Sequence, residues 1–304
     1  MIITLSETTT SLINRELVRT RQESGVVTLG RVMTLIIDAS PEEAEEAIEA
    51  ANAASREHPC RIIVLVPSKK KAQRLDAEIR VGGDAGAAEV IVLRPAGEMT
   101  KHADTLVIPL LLPDAPIVAW WPGDVPKDPA RSAIGAMAAR RITDSRDDPD
   151  VTVTLRAQAD AYRPGDTDLA WARVTLWRAL LAAALDQVPD AKVTKARLHG
   201  DPRSPSILLM GAWLKSRLGC AFEASYDEKV EGLQSVALET AAGDISITRV
   251  DDARAALHQP GQPDQVIAMP RRSLTDCLTE DLRRLDEDEV YGETLAALSR
   301  GLEK

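Results

Sequence analysis

The stretch "ASREHPCRIIVLVPSKKK", Ala54 to Lys71, sets His58 and Cys60 beside Arg61 directly before an apolar run. A histidine next to a cysteine is the pairing of a base with a thiol nucleophile. On a strand, side chains two apart share a face, so His58 and Cys60 would point the same way. Nucleophilic catalysis also needs a group that orients the base and a site for the oxyanion. The sequence shows a signature for neither. The residues therefore read as the lead-in to a strand, with Pro59 fixing the turn. A ligand or surface site built from His58, Cys60, Arg61 and Arg94 is the functional alternative.

Other patterns that carry chemistry are weak. "VGGDAGAAEV" follows a strand and holds Gly82, Gly83 and Gly86. Their spacing is not GxGxxG and no GK[ST] follows, so the segment is expected to be a tight connecting loop and not a phosphate cradle. GxSxG, HExxH and CxxC are absent, and no SxxK nucleophile pair is expected. His58, His102, His199 and His258 are too scattered to suggest a metal site, and neither a metal nor a cofactor is expected. The acidic runs "EEAEE" and "LDEDE" read as solvated helix faces. The pair Trp120–Trp121 is more informative. Consecutive strand residues point to opposite faces, so one indole can be core while the other lies at the surface or an interface. With Pro122 stiffening the turn, Trp120, Trp121 and Pro122 are a candidate partner anchor.

The bulk numbers narrow the function classes. The 304 residues carry a net charge of -10, with 44% hydrophobic, 28% charged and only 3% aromatic residues. An acidic, aromatic-poor surface repels phosphate backbones and offers no base-stacking platform, so nucleic acid is not an expected partner. Three separated cysteines, Cys60, Cys220 and Cys277, give no disulfide framework, which suits a reducing cytoplasm. "MIITLSETTT" carries neither a basic start nor an apolar core, so no secretory leader is expected. "VIPLLLPDAPIVAWWP" is interrupted by prolines and Asp114. "DLAWARVTLWRALLAAALD" has Arg173 and Arg178 near its middle, each costing roughly 2.5–3.5 kcal/mol in a bilayer. No membrane span is expected.

These residues must be positioned by elements, and periodicity supplies them. Residues 6–23 suggest a polar helix with Leu12, Leu17 and Val18 inward. "RVMTLIIDA" reads as a strand. The next segment has Ser40 as cap, Pro41 at the first helical position, and an apolar stripe of Ala44, Ala47, Ile48 and Ala51. "RIIVLVP", "LDAEIRV", "EVIVLRP" and "PIVAWWP" are strands. "EMTKHADTLVIPLLL" and "DPARSAIGAMAARRITD" are expected to be helical for most of their length. Farther on come a helix from Asp168 to Gln187, the strand "AKVTKARLHGD" and a helix from Ser204 to Gly219. Four alternating runs from Cys220 to Arg271 resemble an antiparallel meander, and two terminal helices follow. The expected class is α/β: a mainly parallel layer domain over 1–148, then an α+β domain with the meander over 149–304.

Taken together and in order, "AANAASREHPCRIIVLV", "RVGGDAGAAEVIVLR", "VIPLLLPDAPIVAWWP", "RRITDS", "PGDTDLAWARVTLWRALLAAALD" and "SPSILLMGAWLKSRLG" resemble the glucose-6-phosphate dehydrogenase assembly protein family, OpcA. The resemblance runs from about Arg31 to about Gly219. It implies a cytoplasmic, non-enzymatic partner of glucose-6-phosphate dehydrogenase. Such a protein would promote the enzyme's active form by assembly or allostery, in the NADPH-producing oxidative pentose phosphate pathway of cyanobacteria and actinobacteria. Two other readings stay open on the residues. One is a metabolite sensor that binds a sugar phosphate or nucleotide at the carboxyl ends of its strands. The other is an enzyme on a phosphorylated sugar, with Arg61, Arg94 and Arg140/Arg141 as anion clamps.

Overall fold

The computed structural model describes residues 1–24, 30–81, 89–146, 148–188 and 192–302. The chain divides into two compact units. The first comprises Met1–Asp144, Gly165–Thr167 and Leu274–Glu287, and the second Ser145–Pro164, Asp168–Ser273 and Asp288–Lys304. The class is α/β, with a parallel-rich first sheet and a mixed second one. The glycine cluster Gly82, Gly83 and Gly86 lies outside the described residues.

The first sheet uses β1 (Ile2–Leu5), β2 (Met33–Asp38), β3 (Cys60–Leu65), β4 (Arg74–Arg80), β5 (Glu89–Ala96), β6 (Ile117–Trp121), β7 (Arg140–Thr143) and β8 (Asp166–Asp168). Their order is β1-β4-β5-β3-β2-β6-β7-β8. The run β5-β3-β2-β6-β7 is parallel, and β4 and β1 extend it antiparallel. Continuous apolar runs produce this arrangement, because parallel strands are covered on both faces. Every residue of β3 is buried. The strand order reverses between β2 and β6, which makes their carboxyl ends the topological switch point.

Helix α2 (Ala44–Ala54) follows β2 and buries Ala44, Ala47, Ile48 and Ala51, the stripe its periodicity foretold. The helix starts at Ala44, past the first position expected at Pro41, and the turn over 41–43 that leads into it is closed by reciprocal bonds between Ser40 and Glu43. The Ser40 N–H donates to Glu43 Oε2 (3.1 Å), and the Glu43 N–H donates to Ser40 Oγ (3.3 Å). Glu43 also lies against Gly123, where an added Cβ would stand 1.7 Å from Glu43 Oε1.

Three expectations are corrected. In helix α1 (Thr10–Ser24) the inward residues are Ile13 and Leu17, whereas Leu12 and Val18 are exposed. Leu17 is inward as expected, and its buried companions are Ile13 and Thr20 in place of Leu12 and Val18. Residues 97–110 form a broken path, with α3 (Ala103–Val107) between two tight turns. The segment before β7 contains only two short turns, Pro129–Arg131 and Gly135–Met137. Ser132 explains the second break: its Oγ donates to the Pro129 carbonyl (2.8 Å) and accepts from the Gly135 N–H (3.0 Å), competing with a helical backbone.

In the second unit, α4 (Val151–Ala161) starts at Asp150, which accepts from the Val153 N–H at 3.1 Å. The long helix expected from Asp168 is two helices, α5 (Leu169–Arg173) and α6 (Thr175–Asp186), broken at Val174. Asp168 caps the first, accepting from the Ala170 N–H at 2.8 Å. Arg178 reaches back across the break to lie 3.5 Å over the Trp171 ring, a cation–π contact.

The second sheet has β9 (Val193–Gly200), β10 (Ala221–Tyr226), β11 (Leu233–Thr240), β12 (Gly243–Arg249), β13 (Arg254–His258) and β14 (Gln265–Ala268). Its order is β10-β9-β11-β12-β13-β14. The meander from β11 to β14 is antiparallel, as expected. β10 is not part of it, because it runs parallel to β9. The reason is α7 (Pro205–Leu218), a 14-residue crossover that returns the chain to the end where β9 began. Gly211 lets this helix approach β10, since a Cβ there would lie 2.5 Å from the Phe222 ring. Helices α8 (Leu274–Leu282) and α9 (Glu289–Leu302) end the chain.

Gly123→Ala should push Glu43 out of its cap and lower stability by about 0.5–2 kcal/mol. Denaturant unfolding of Gly123→Ala, Glu43→Ala and the double variant checks this. The glycine substitution should cost almost nothing once Glu43 is gone, and an undiminished cost would break the link.

Candidate functional site

The His58–Cys60–Arg61 cluster forms at the amino end of β3. Cys60 is fully buried, and burial pushes its thiol up to about 12 despite the opposing charge of Arg31. A thiol so buried is held protonated at neutral pH, without the thiolate that nucleophilic attack and thiol exchange use. The half-buried His58 has an Nε2 with no hydrogen bond among the described residues. Arg61 is held by the protein: its Nε donates to Glu89 Oε2 at 2.9 Å and its Nη1 to the Leu110 carbonyl at 2.5 Å. Arg31 adds a second cation 3.4 Å from the same carboxylate. Removing one partner of such a buried pair typically costs about 3–5 kcal/mol, because the other charge is stranded.

The other proposed clamps are also committed. Arg140 Nη2 donates to Asp281 Oδ1 (2.6 Å), and its Nη1 donates to the Asp286 carbonyl (2.7 Å). Arg141 pairs with Asp166 and donates to the Ala138 carbonyl at 2.7 Å. These three arginines are buried structural pins, which corrects their reading as anion clamps. Arg94 differs. It is half-buried on β5 and makes no hydrogen bond or salt bridge among the described residues. Ser68 and Lys71 share the spacing of a serine–lysine nucleophile pair, a pattern the sequence reading missed. No helix runs through residues 66–71, so no helical turn sets the lysine above the serine.

The switch point gathers acids. Burial raises the Asp38 carboxyl at the end of β2, a hydrogen bond from Trp121 opposes the shift, and the nearby charge of Asp124 adds to it. Glu43 fills the space beside Gly123 and caps the turn into α2 with its own carboxylate. A phosphate placed there would meet like charge where a nucleotide fold offers free N–H groups. Trp120 and Trp121 are both buried, at 0% and 3% exposure, and Pro122 is half-buried. Trp121 packs with Ile36, Ile63 and Ile91 in the core. The expectation that one indole faces outward is therefore corrected: both faces of β6 are covered.

In the second unit, alternate residues of the sheet behave differently. Ala196, Leu198, Val236, Leu238, Ile245, Ile247, Ala255 and Leu257 are buried and form one core face. The intervening positions form a bare face. One row across it reads Ser225, His199, Ser235, Thr248, Ala256 and Val266 in register. All six are exposed or half-exposed. Beside this row, on the same face, Lys195 pairs with Glu223 and Arg197 with Glu239 and Asp244, so the face joins small side chains to charged ones, a mixture that suits contact with another protein surface. No helix among the described residues is long and apolar enough to cross a membrane. Among them, no group of three or more His, Cys, Asp or Glu side chains is placed to hold a metal ion.

Comparison with known families decides the relationship. A model described as the glucose-6-phosphate dehydrogenase subunit N-terminal domain matches residues 51–160. A second, described as the C-terminal domain of that subunit, matches residues 164–295. Together they span most of the chain, in order. The chain belongs to the OpcA family. An OpcA of Synechococcus elongatus, named for the OxPP cycle, is 26% identical over 187 residues, which is 56% of this chain and 42% of that protein. The match thus spans less than half of the relative's length. Among solved structures, an oxidoreductase from Sinorhizobium meliloti is 7% identical, with a TM-score of 0.49 over 89% of this chain and 95% of the other. One from Thermotoga maritima is 11% identical, with a TM-score of 0.41 over 88% and 95%.

Cys60, Cys220 and Cys277 are all buried. Titration of this OpcA-family chain with a thiol reagent at neutral pH should therefore show no fast-reacting group when native and three when unfolded. A native thiol that reacts at the rate of free cysteine, and is lost in Cys60→Ser, would overturn the inert reading of that residue.

Proposed function

We propose that this chain is a non-catalytic cytoplasmic partner that binds glucose-6-phosphate dehydrogenase and promotes its active form. The carrying observation is the ordered match of both family models across residues 51–160 and 164–295. Three features of the chain support a binding role over catalysis. The candidate thiol is buried and held protonated. Arg61, Arg140 and Arg141 are tied to carboxylates of the chain itself. The switch point carries acids where a dinucleotide's phosphates would have to sit.

An activator must bind the active state of its enzyme better than the inactive one, since equal affinity shifts nothing. Moving the active fraction from 1:99 to 99:1 requires roughly 5.5 kcal/mol of differential affinity. The bare face of the second sheet is the surface suited to this. Six strands about 4.8 Å apart and about 20 Å long give a footprint of roughly 500 Å². That is a large part of the roughly 800 Å² a standard interface buries on each partner. Its row from Ser225 to Val266 lets a partner approach closely, and the charges of Lys195, Arg197, Glu223, Glu239 and Asp244 beside that row offer it polar contacts.

The purified chain alone should reduce no NADP, while adding it to the dehydrogenase should raise that enzyme's activity and the two should co-elute. Thr248→Arg and Ala256→Arg, made separately, should each weaken association at least about tenfold, with the unfolding midpoint unchanged. Normal binding by both variants would move the contact elsewhere. Failure of the unaltered chain to bind or activate the enzyme would overturn the function itself.

A further inference from the structure

The first unit holds a cavity of about 340 Å³. It opens at the carboxyl ends of the parallel strands β3 and β5, on the far side of β2 from the acidic switch point. Its wall carries the loop after β3, with Ser68, Lys69 and Lys70, together with Arg94 on β5, Glu42 before α2 and Asp76 on β4. The cations concentrate here although the chain as a whole is strongly acidic.

Their pairing decides what the cavity can do. The neighbouring Arg74 is committed, with its Nε 2.7 Å from Asp76 Oδ1 and its Nη1 3.0 Å from Glu7 Oε1. Lys69, Lys70 and Arg94 make no side-chain hydrogen bond or salt bridge among the described residues. Arg94 feels the charge of Glu45, but that carboxylate is already held by both Nη atoms of Arg80, at 2.8 and 2.7 Å. A half-buried guanidinium has lost part of its hydration and still presents five donors. An anion in the cavity would satisfy it bidentately, and the two ammonium groups would add point charges around it.

The remaining lining narrows the ligand. Glu42 and Asp76 are acceptors, and the Glu7 N–H, the Arg74 pair and the nearby Lys70 charge hold Asp76 in its charged form. Carboxylates beside an anion site repel a second phosphate but accept hydrogen bonds from hydroxyl groups. The volume is at the small end of ligand sites, which run from about 300 to 1,000 Å³. That suits a monosaccharide-sized molecule and excludes a dinucleotide.

We propose that this cavity binds a small phosphate monoester bearing hydroxyl groups, with Arg94, Lys69 and Lys70 on the phosphate and Glu42 and Asp76 on the hydroxyls. The site lies on the chain itself and does not depend on the dehydrogenase reading. It gives the chain a means of sensing a phosphorylated polyol.

Calorimetric titration of the isolated full chain with glucose 6-phosphate, inorganic phosphate and glucose tests it. Glucose 6-phosphate should bind saturably, inorganic phosphate more weakly, and glucose not at all. Arg94→Gln should weaken binding of the ester at least about tenfold, and so should the double variant Lys69→Gln/Lys70→Gln. The two lysines are exposed, so the double variant keeps the fold and decides the matter should Arg94→Gln alter stability. Absence of saturable binding up to about 10 mM, or full affinity in the lysine variant, would overturn the site. Equal affinity for inorganic phosphate and the ester would overturn the role given to Glu42 and Asp76.

Discussion

One buried ion pair sets the register on which the first unit depends. Arg61 on β3 and Glu89 on β5 are direct cross-strand partners, and their side chains meet at 2.9 Å with almost no solvent. β3 is buried along its whole length, so its apolar residues alone specify position weakly: sliding the strand would still bury apolar atoms. A guanidinium and a carboxylate in a dry sheet have no such tolerance. A displaced register would leave two unpaired charges in a low-dielectric interior. The pair therefore acts as a device for specificity more than for net stability, and the Arg61 bond to the Leu110 carbonyl extends the same constraint to the segment before β6.

The first unit keeps the strand order of a doubly wound sheet but fills its usual ligand position from within. The turn after β2 is closed by the Ser40–Glu43 cap, and Gly123 makes room for the Glu43 side chain. A turn whose N–H groups at Ser40, Glu43 and Ala44 are taken by its own carboxylate, hydroxyl and carbonyl does not present them to an anion. The cationic groups stand instead beyond β3, where the loop with Lys69 and Lys70 faces Arg94. Rearranging charge among the carboxyl ends of the same strands changes what the layer can recognise without changing its topology.

The second unit follows the opposite rule. Its sheet alternates, so one face of apolar residues is packed and the other is polar or small. An antiparallel meander tolerates a bare face because water can satisfy its outer side chains. The parallel pair β9–β10 needs a crossover helix, and α7 supplies cover on the core side only. The unit therefore contributes a flat surface and the first unit a cavity.

The apolar runs by themselves determined the parallel layer, the α2 stripe and the meander, because continuous and alternating hydrophobicity are local signals that burial obeys directly. Chain composition likewise set the acidic character, and six ordered blocks carried the family. Only the tertiary structure decided the rest. It buried both Trp120 and Trp121, since the covering of each face of β6 depends on elements distant in sequence. It turned 129–138 into short turns, because the Ser132 hydroxyl found backbone partners that a helical pattern does not reveal. It made β10 parallel through the return of α7. Arg61, Arg94, Arg140 and Arg141 look alike in sequence. Three of them meet carboxylates from 25 to 141 positions away, and Arg94 does not. Whether a charge is a pin or a site depends on that long-range pairing, because the cost of burying it is set by the partner it finds and not by its neighbours in the chain.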